Sequence, residues 1–283
     1  MKVIHSINQM FDYSRKIKGA GKTIGFVPTM GALHQGHLSL IKRARGDCQI
    51  VVVSIFVNPA QFGPGEDFKR YPRNFVADKK ICQKVKVDFL FAPRVKEIYP
   101  QGYCSYVRVK GLEDKLCGVF RPGYFQGVTT IVHKLFNVVQ PDIAYFGQKD
   151  FQQAVIIKRM VRDLNIPVKI RVLPIVREKD GLAMSSRNKY LNRQQRKEAP
   201  ILFQSLQLAK EALKKGERNS AKIISRMKKM IERVPEAKID YVSIVDPETL
   251  EDVRLVKGRV LVALAVRIGK ARLIDNIITD STD

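Results

Sequence analysis

Apolar runs of strand length alternate with segments of helical period through the first two-thirds of this 283-residue chain. The runs fall at 24–27, 50–57, 89–92, 143–146 and 168–173, and helix-like segments at 38–45, 75–84, 128–138 and 151–164 lie between them. Strict alternation of the two patterns predicts an α/β fold, with a mostly parallel sheet covered by helices on both faces. Ligands of such sheets bind outside the carboxyl ends of the strands. The loops 28–37, 58–65 and 147–150 each follow a strand, so all three are expected to face one cleft.

The pattern changes after about residue 188. Leu202, Leu206, Ala209 and Leu213 mark one helical stripe, closed by Gly216. Ile223, Met227, Met230 and Val234 mark a second, with Ser220 as its expected cap. Strand-like runs follow at 241–245, 259–266 and 272–278, which predicts a smaller α+β domain. The boundary is placed between 175 and 176, giving domains 1–175 and 176–283.

A composition of 45% hydrophobic residues is that of ordinary globular material. No apolar run reaches the roughly 20 residues that a membrane helix needs. Met1-Lys2-Val3-Ile4-His5 is too short and polar for a secretion signal. Cys48, Cys82, Cys104 and Cys117 form no C-x-x-C pair, so neither a zinc knuckle nor a redox motif is visible, and their scatter fits reduced thiols in a cytoplasm. The formal charge of +24 allows a nucleic-acid partner, but the basic residues are spread along the chain without a block or aromatic-rich patch. A soluble enzyme that handles anions is the preferred reading, and nucleic-acid binding is disfavoured.

Chemistry concentrates in four short stretches. His34 and His37 flank Gly36 between a strand-like and a helix-like segment. A strand that turns into a helix aims backbone N–H groups at one point, which suits a phosphate. Two imidazoles at i and i+3 reach the same point. Gly36, without a Cβ, would let a ligand approach the backbone. Taken alone, a histidine pair also fits a structural role. Met184-Ser185-Ser186-Arg187-Asn188 offers two hydroxyls and a guanidinium, groups able to wrap a polyphosphate. In Gly147-Gln148-Lys149-Asp150, Lys149 at a strand end can contact a phosphate. In Phe56-Val57-Asn58-Pro59-Ala60-Gln61-Phe62-Gly63, the two phenylalanines could wall an apolar pocket into which Gln61 reaches.

These four stretches, with Tyr71-Pro72-Arg73 and Arg121-Pro122-Gly123, resemble in kind and order the pantothenate synthetase (pantoate–β-alanine ligase) family. The H-x-G-H tetrad is shared more widely with nucleotidyltransferases, so another adenylyltransferase of that superfamily is the alternative enzyme. The resemblance implies a Rossmann-like domain for ATP and pantoate, a smaller C-terminal lid, a homodimer, and two half-reactions. ATP and pantoate give a pantoyl adenylate and pyrophosphate; β-alanine then gives pantothenate and AMP, with Mg2+ accompanying ATP.

Carried over by position, the family's ATP contacts fall on Met30, Gly31, Ala32, Leu33, His34, Gln35, Gly36 and His37. They continue on Gly147, Gln148, Lys149 and Asp150, then on Val176, Met184, Ser185, Ser186 and Arg187. His37, His34 and Lys149 are the expected catalytic groups, with His37 as proton donor. Gln61 and Gln153 match the pantoate contacts, and Gln61 lies where β-alanine enters. Three positions depart from the pattern. Tyr124 stands where many relatives carry histidine, and Cys117 where some carry glutamate. Ala77 and Ile81 replace side chains that help hold magnesium in some relatives, while Asp78 remains, so the metal ligands are left unassigned.

An expected division of labour follows. Charge-donating groups (His34, His37, Lys149, Arg187) serve the triphosphate, and neutral carboxamides (Gln61, Gln153) orient pantoate without quenching its carboxylate. The adenylate hydrolyses in open water, so the C-terminal domain is read as a lid and the loop 63–67 as a second flap.

Overall fold

The computed structural model describes residues 1–280. In chain order the elements are β1 (Lys2–Ile4), α1 (Ile7–Gly19), β2 (Ile24–Thr29), α2 (Gln35–Asp47), β3 (Ile50–Ile55), α3 (Phe75–Lys84), β4 (Phe89–Phe91), α4 (Val95–Ile98), α5 (Cys117–Phe120), α6 (Tyr124–Val139), β5 (Ile143–Gly147), α7 (Phe151–Asp163) and β6 (Lys169–Leu173). Then come α8 (Arg193–Glu198), α9 (Ile201–Lys214), α10 (Ser220–Ile231), β7 (Ala237–Val245), β8 (Arg259–Ile268) and β9 (Ala271–Asp280). The chain divides into two compact units. The first comprises Met1–Glu113, Arg121–Gly147 and Ile156–Pro174. The second comprises Asp114–Phe120, Gln148–Val155 and the chain from Ile175 onward.

The first unit is a six-stranded parallel sheet in the order β1-β4-β3-β2-β5-β6. Residue parity along β2 sorts its two faces. Gly25 and Val27 face α2, and a Cβ at Gly25 would meet Cys48 at 3.1 Å and Ala44 at 3.3 Å. Phe26, on the other face, meets Phe136 of α6 edge-on at 6.4 Å. Val27, Leu40, Ile41, Val51, Val53, Leu90 and Tyr145 form one core under α2 and α3. Strand order reverses between β2 and β5. Such a reversal point, at the carboxyl ends of the strands, is where open sheets of this kind bind ligands, and the H-x-G-H loop leaves β2 there.

The second unit builds on the antiparallel sheet β7-β8-β9. Leu202, Leu206 and Leu213 of α9 and Ile223, Met227 and Ile231 of α10 pack on Val260, Val262, Leu264 and Val266 of β8.

The α/β fold with a smaller α+β unit is therefore as expected, but several boundaries differ. β1 is three residues long, too short to leave a periodic signal. β3 stops at Ile55 rather than at 57, because Asn58 already caps a 3-10 turn, Pro59–Gln61, through the Ala60 N–H. α6 begins at Tyr124, four residues earlier than its apolar stripe, since Gly123 supplies the left-handed residue (φ 77°) at the entry. The cap of α10 is Asn219, whose Oδ1 accepts from Lys222 N at 3.2 Å, not Ser220; Val234 lies past the helix end.

Candidate active site

The H-x-G-H loop is braced from behind by side chains. Gly31 (φ 80°) and Ala32 (φ 52°) are both left-handed, which turns the chain sharply off β2. A Cβ at Gly31 would sit 2.9 Å from Asp78 Oδ2 and 3.1 Å from Ile55 Cγ2, so only glycine fits. The Gly31 N–H donates to Thr29 Oγ1 at 3.1 Å, and that hydroxyl donates to Ser54 O at 2.7 Å. Asp78, 3% exposed, accepts from Ala32 N at 2.9 Å and Leu33 N at 2.8 Å, one on each oxygen. The carboxylate that the family resemblance connects with magnesium is here a buried anchor for the loop. Ala32 and Leu33 are themselves buried, and Leu33 belongs to the core.

The two histidines close the start of α2. His34 is its N-cap, and its Nδ1 accepts from Gly36 N at 3.1 Å. His37, at the third helical position, accepts from His34 N through its own Nδ1 at 3.3 Å. The result is a capping box made of two imidazoles, with ring centroids 4.1 Å apart. An Nδ1 that accepts from a backbone N–H carries no proton, so a neutral ring has its proton on Nε2. Each ring is thereby set to donate through Nε2–H.

The N–H groups of Gly31, Ala32, Leu33, His34 and Gly36 all meet side-chain acceptors. The His34 ring packs closely on Gly36: a Cβ there would lie 2.9 Å from its Cε1.

Gln61 follows β3 in the 3-10 turn and is 7% exposed. Its Oε1 accepts from Asn58 Nδ2 at 3.1 Å. Asn58 is fully buried; the same Nδ2 donates to Gly127 O at 3.0 Å, and its Oδ1 accepts from Tyr99 OH at 2.8 Å. Burial pushes the Tyr99 phenol well above its usual range, which keeps it a donor. With Oε1 held, the end that Gln61 presents is its Nε2 amide. Gly127 lets α6 approach this turn, since a Cβ there would lie 2.1 Å from Ala60 O.

Arg121 reaches the same turn. It donates to Gln61 O at 2.8 Å and forks onto Glu66 at 2.7 and 2.6 Å, while Glu66 Oε2 accepts from Gly63 N at 3.2 Å. This guanidinium lies over the Tyr124 ring, with Cζ 3.7 Å from the ring centroid. The loop read as a flap thus carries a clamp, and Tyr124 serves as its platform. Phe56 packs on Tyr99, and Phe62 on Phe68 and Tyr71.

Of the remaining expected residues, Met30 after β2, Gln35 at the start of α2 and Gly147 at the end of β5 lie in the first unit, and the others lie in the second. Gln148, Lys149 and Asp150 form a 3-10 turn, with Lys149 Nζ 3.4 Å from Asp150 Oδ2. Gln153 is half-buried on α7. Its neighbour Gln152 is structural, bridging Cys117 N at 3.0 Å and Lys115 O at 2.7 Å. Cys117 takes an Arg272 N–H on its sulfur at 3.5 Å. Val176 and Met184 are joined by the bond Met184 N to Val176 O at 3.0 Å. Ser185 caps the following 3-10 turn, Ser186–Tyr190, by accepting from Arg187 N at 3.2 Å. Ser186 is buried and Met184 and Arg187 are half-buried. Among the described residues no three His, Cys, Asp or Glu side chains cluster as a metal site.

The sequence profile of the family described as pantoate-beta-alanine ligase matches residues 2–278. The chain belongs to this family. A pantothenate synthetase of Moorella thermoacetica is 53% identical over 283 residues, covering all of both chains. The crystal structure of pantothenate synthetase from Thermus thermophilus superposes with a TM-score of 0.92 at 45% identity, covering 98% of this chain and 99% of that one. A Francisella tularensis pantoate-beta-alanine ligase, solved with beta-gamma ATP and beta-alanine, superposes with a TM-score of 0.82 at 36% identity, covering 98% and 97%. The chain is accordingly an ATP-dependent ligase that joins pantoate to β-alanine. Neither the other adenylyltransferase nor the nucleic-acid reading is favoured by these matches.

Proposed function

We propose that the ligation runs through a pantoyl adenylate made at the H-x-G-H loop. A carboxylate oxygen of pantoate attacks the α-phosphorus of MgATP, and pyrophosphate leaves. The amine of β-alanine then attacks the acyl carbon, and AMP leaves with the bridging oxygen. The observation that carries this reading is the imidazole pair at the start of α2, in which each Nδ1 accepts from a backbone N–H, so that a neutral ring carries its proton on Nε2. Donors of fixed orientation stabilise charge that grows on phosphoryl oxygens. Lys149 and Arg187 supply full positive charge to the same triphosphate. The Gln61 amide donates to pantoate, and Gln153 aids it, so the nucleophilic carboxylate is oriented and not neutralised.

Magnesium enters with the nucleotide. The 176–283 domain serves as a lid that keeps water from the adenylate. The protein acts as a cytoplasmic homodimer. Cys48, Cys82, Cys104 and Cys117 are free thiols, and no helix among the described residues is long and apolar enough to cross a membrane. Incubating the purified chain with pantoate, β-alanine and MgATP is expected to yield pantothenate, AMP and pyrophosphate in equal amounts by mass spectrometry. Pyrophosphate release without any need for the amine, and with no amide product, would refute it.

A further inference from the structure

Asn276 on β9 is 3% exposed, and all three of its amide functions are engaged by one short turn. Its Nδ2 donates to Gln148 O and to Lys149 O, each at 3.0 Å. Its Oδ1 accepts from Gln148 Nε2 at 3.3 Å. A carbonyl on each side of Nδ2 fixes which end of the amide is nitrogen. A 3-10 turn of three residues has too few bonds of its own to hold its orientation. Two outside donors on consecutive carbonyls fix two peptide planes together, and with them the Cα–Cβ direction of Lys149.

The preceding residue does similar work on another segment. Asp275 forks with Arg177 at 2.6 and 2.9 Å. Arg177 also donates to Gly181 O at 3.0 Å and lies over the Phe203 ring at 4.1 Å. It pairs with Ala183 in an antiparallel bridge, between Val176 and Met184.

We propose that Asn276 is a positioning residue for the adenylation step, holding the Gln148–Lys149 turn so that the Lys149 ammonium meets the nucleotide phosphates. This rests on the reading of Lys149 as a phosphate contact. Neither Asn276 nor Asp275 touches substrate; both act through the segments they hold.

The test is a double-mutant cycle on pyrophosphate release with pantoate and MgATP. Asn276→Asp keeps the side-chain shape but sets an oxygen against two carbonyls; Asn276→Ser is the milder second variant. Thermal melts select variants that keep a cooperative transition. Asn276→Asp is expected to slow pyrophosphate release about 10–10²-fold, the cost of a misplaced catalytic group, with the KM for β-alanine unchanged. Asn276→Ser is expected to fall between it and wild type. The double variant with Lys149→Ala is expected to be no slower than Lys149→Ala alone. Normal release in folded Asn276 variants, while Lys149→Ala is slow, would overturn the positioning role. So would a double variant slower by the product of the two single effects. A Lys149→Ala variant at full rate would remove the reading of Lys149 itself, and the proposal with it.

Discussion

A histidine that accepts from a backbone N–H through Nδ1 has committed its proton to Nε2. In this ligase His34 and His37 have both done so, which makes them oriented donors. His37→Ala should slow pyrophosphate release by about 10²–10⁴-fold in a protein that still folds, since it removes one aligned donor from the transition state. An unchanged rate would take His37 out of the mechanism. Gln61 shows the same logic in an amide. Its Oε1 is held by Asn58, so Gln61→Glu replaces the presented donor with a carboxylate oxygen or repels the anionic acid. The KM for pantoate should rise at least about tenfold, the weight of a charge-assisted hydrogen bond, with the KM for ATP little changed. Gln153→Ala should shift the same constant in the same direction. Equal losses for pantoate and ATP in either variant would contradict the proposed sorting of amides from cations.

At the scale of elements, the placement of these groups depends on bonds between segments far apart in sequence. α2 is fastened at both ends. Its start is held by the imidazole capping box and, through the loop before it, by Asp78 of α3. Its last residue, Asp47, accepts from Arg43 at 2.9 Å, from Tyr145 OH of β5 at 2.9 Å and from Arg171 of β6 at 2.6 Å. The hydrogen bond from Arg43, aided by Tyr145 and Arg171, holds the Asp47 carboxyl below its usual range. A carboxyl whose pKa is lower in the folded state stabilises above the ordinary carboxylate range, and that stability is lost as pH falls through it. Asp47→Asn should therefore be less stable than wild type at pH 7, by at most about 1 kcal/mol once solvent screening of the Arg43 pair is allowed for. The gap should close as pH falls through about 4 and below. A gap that persists undiminished in acid would assign the stabilisation to packing.

The reach of the sequence follows from the same distances. Alternating runs and the H-x-G-H tetrad are local signals, so five of the six parallel strands, the helices α2, α3, α6 and α7 and the histidine loop could be read directly, while β1 and α1 were missed. The bracing could not be read in this way. Ala32 meets Asp78 across 46 positions and Lys149 meets Asn276 across 127, and an isolated Asp or Asn on an amphipathic segment looks like any exposed polar residue. Gly127 gave no sign that it faces the backbone of Ala60, because the clash exists only once α6 is docked. Asn58 alone left a trace, since an asparagine before proline at a strand end is a recognisable cap.

For the whole molecule, one unit is a parallel sheet that presents an imidazole pair at its reversal point, and the other carries Lys149 and Arg187. The formal charge of +24 suits a chain whose substrates are all anionic or carry a carboxylate, and it need not imply nucleic acid. The central claim is that the acid is activated as an adenylate. Pantoate labelled with 18O in both carboxylate oxygens tests it directly, because the bridging oxygen stays on phosphorus when the amine attacks carbon. Activation as an adenylate predicts one 18O atom in each AMP formed and one retained in the amide of pantothenate. Unlabelled AMP, or ADP and labelled inorganic phosphate in its place, would contradict it.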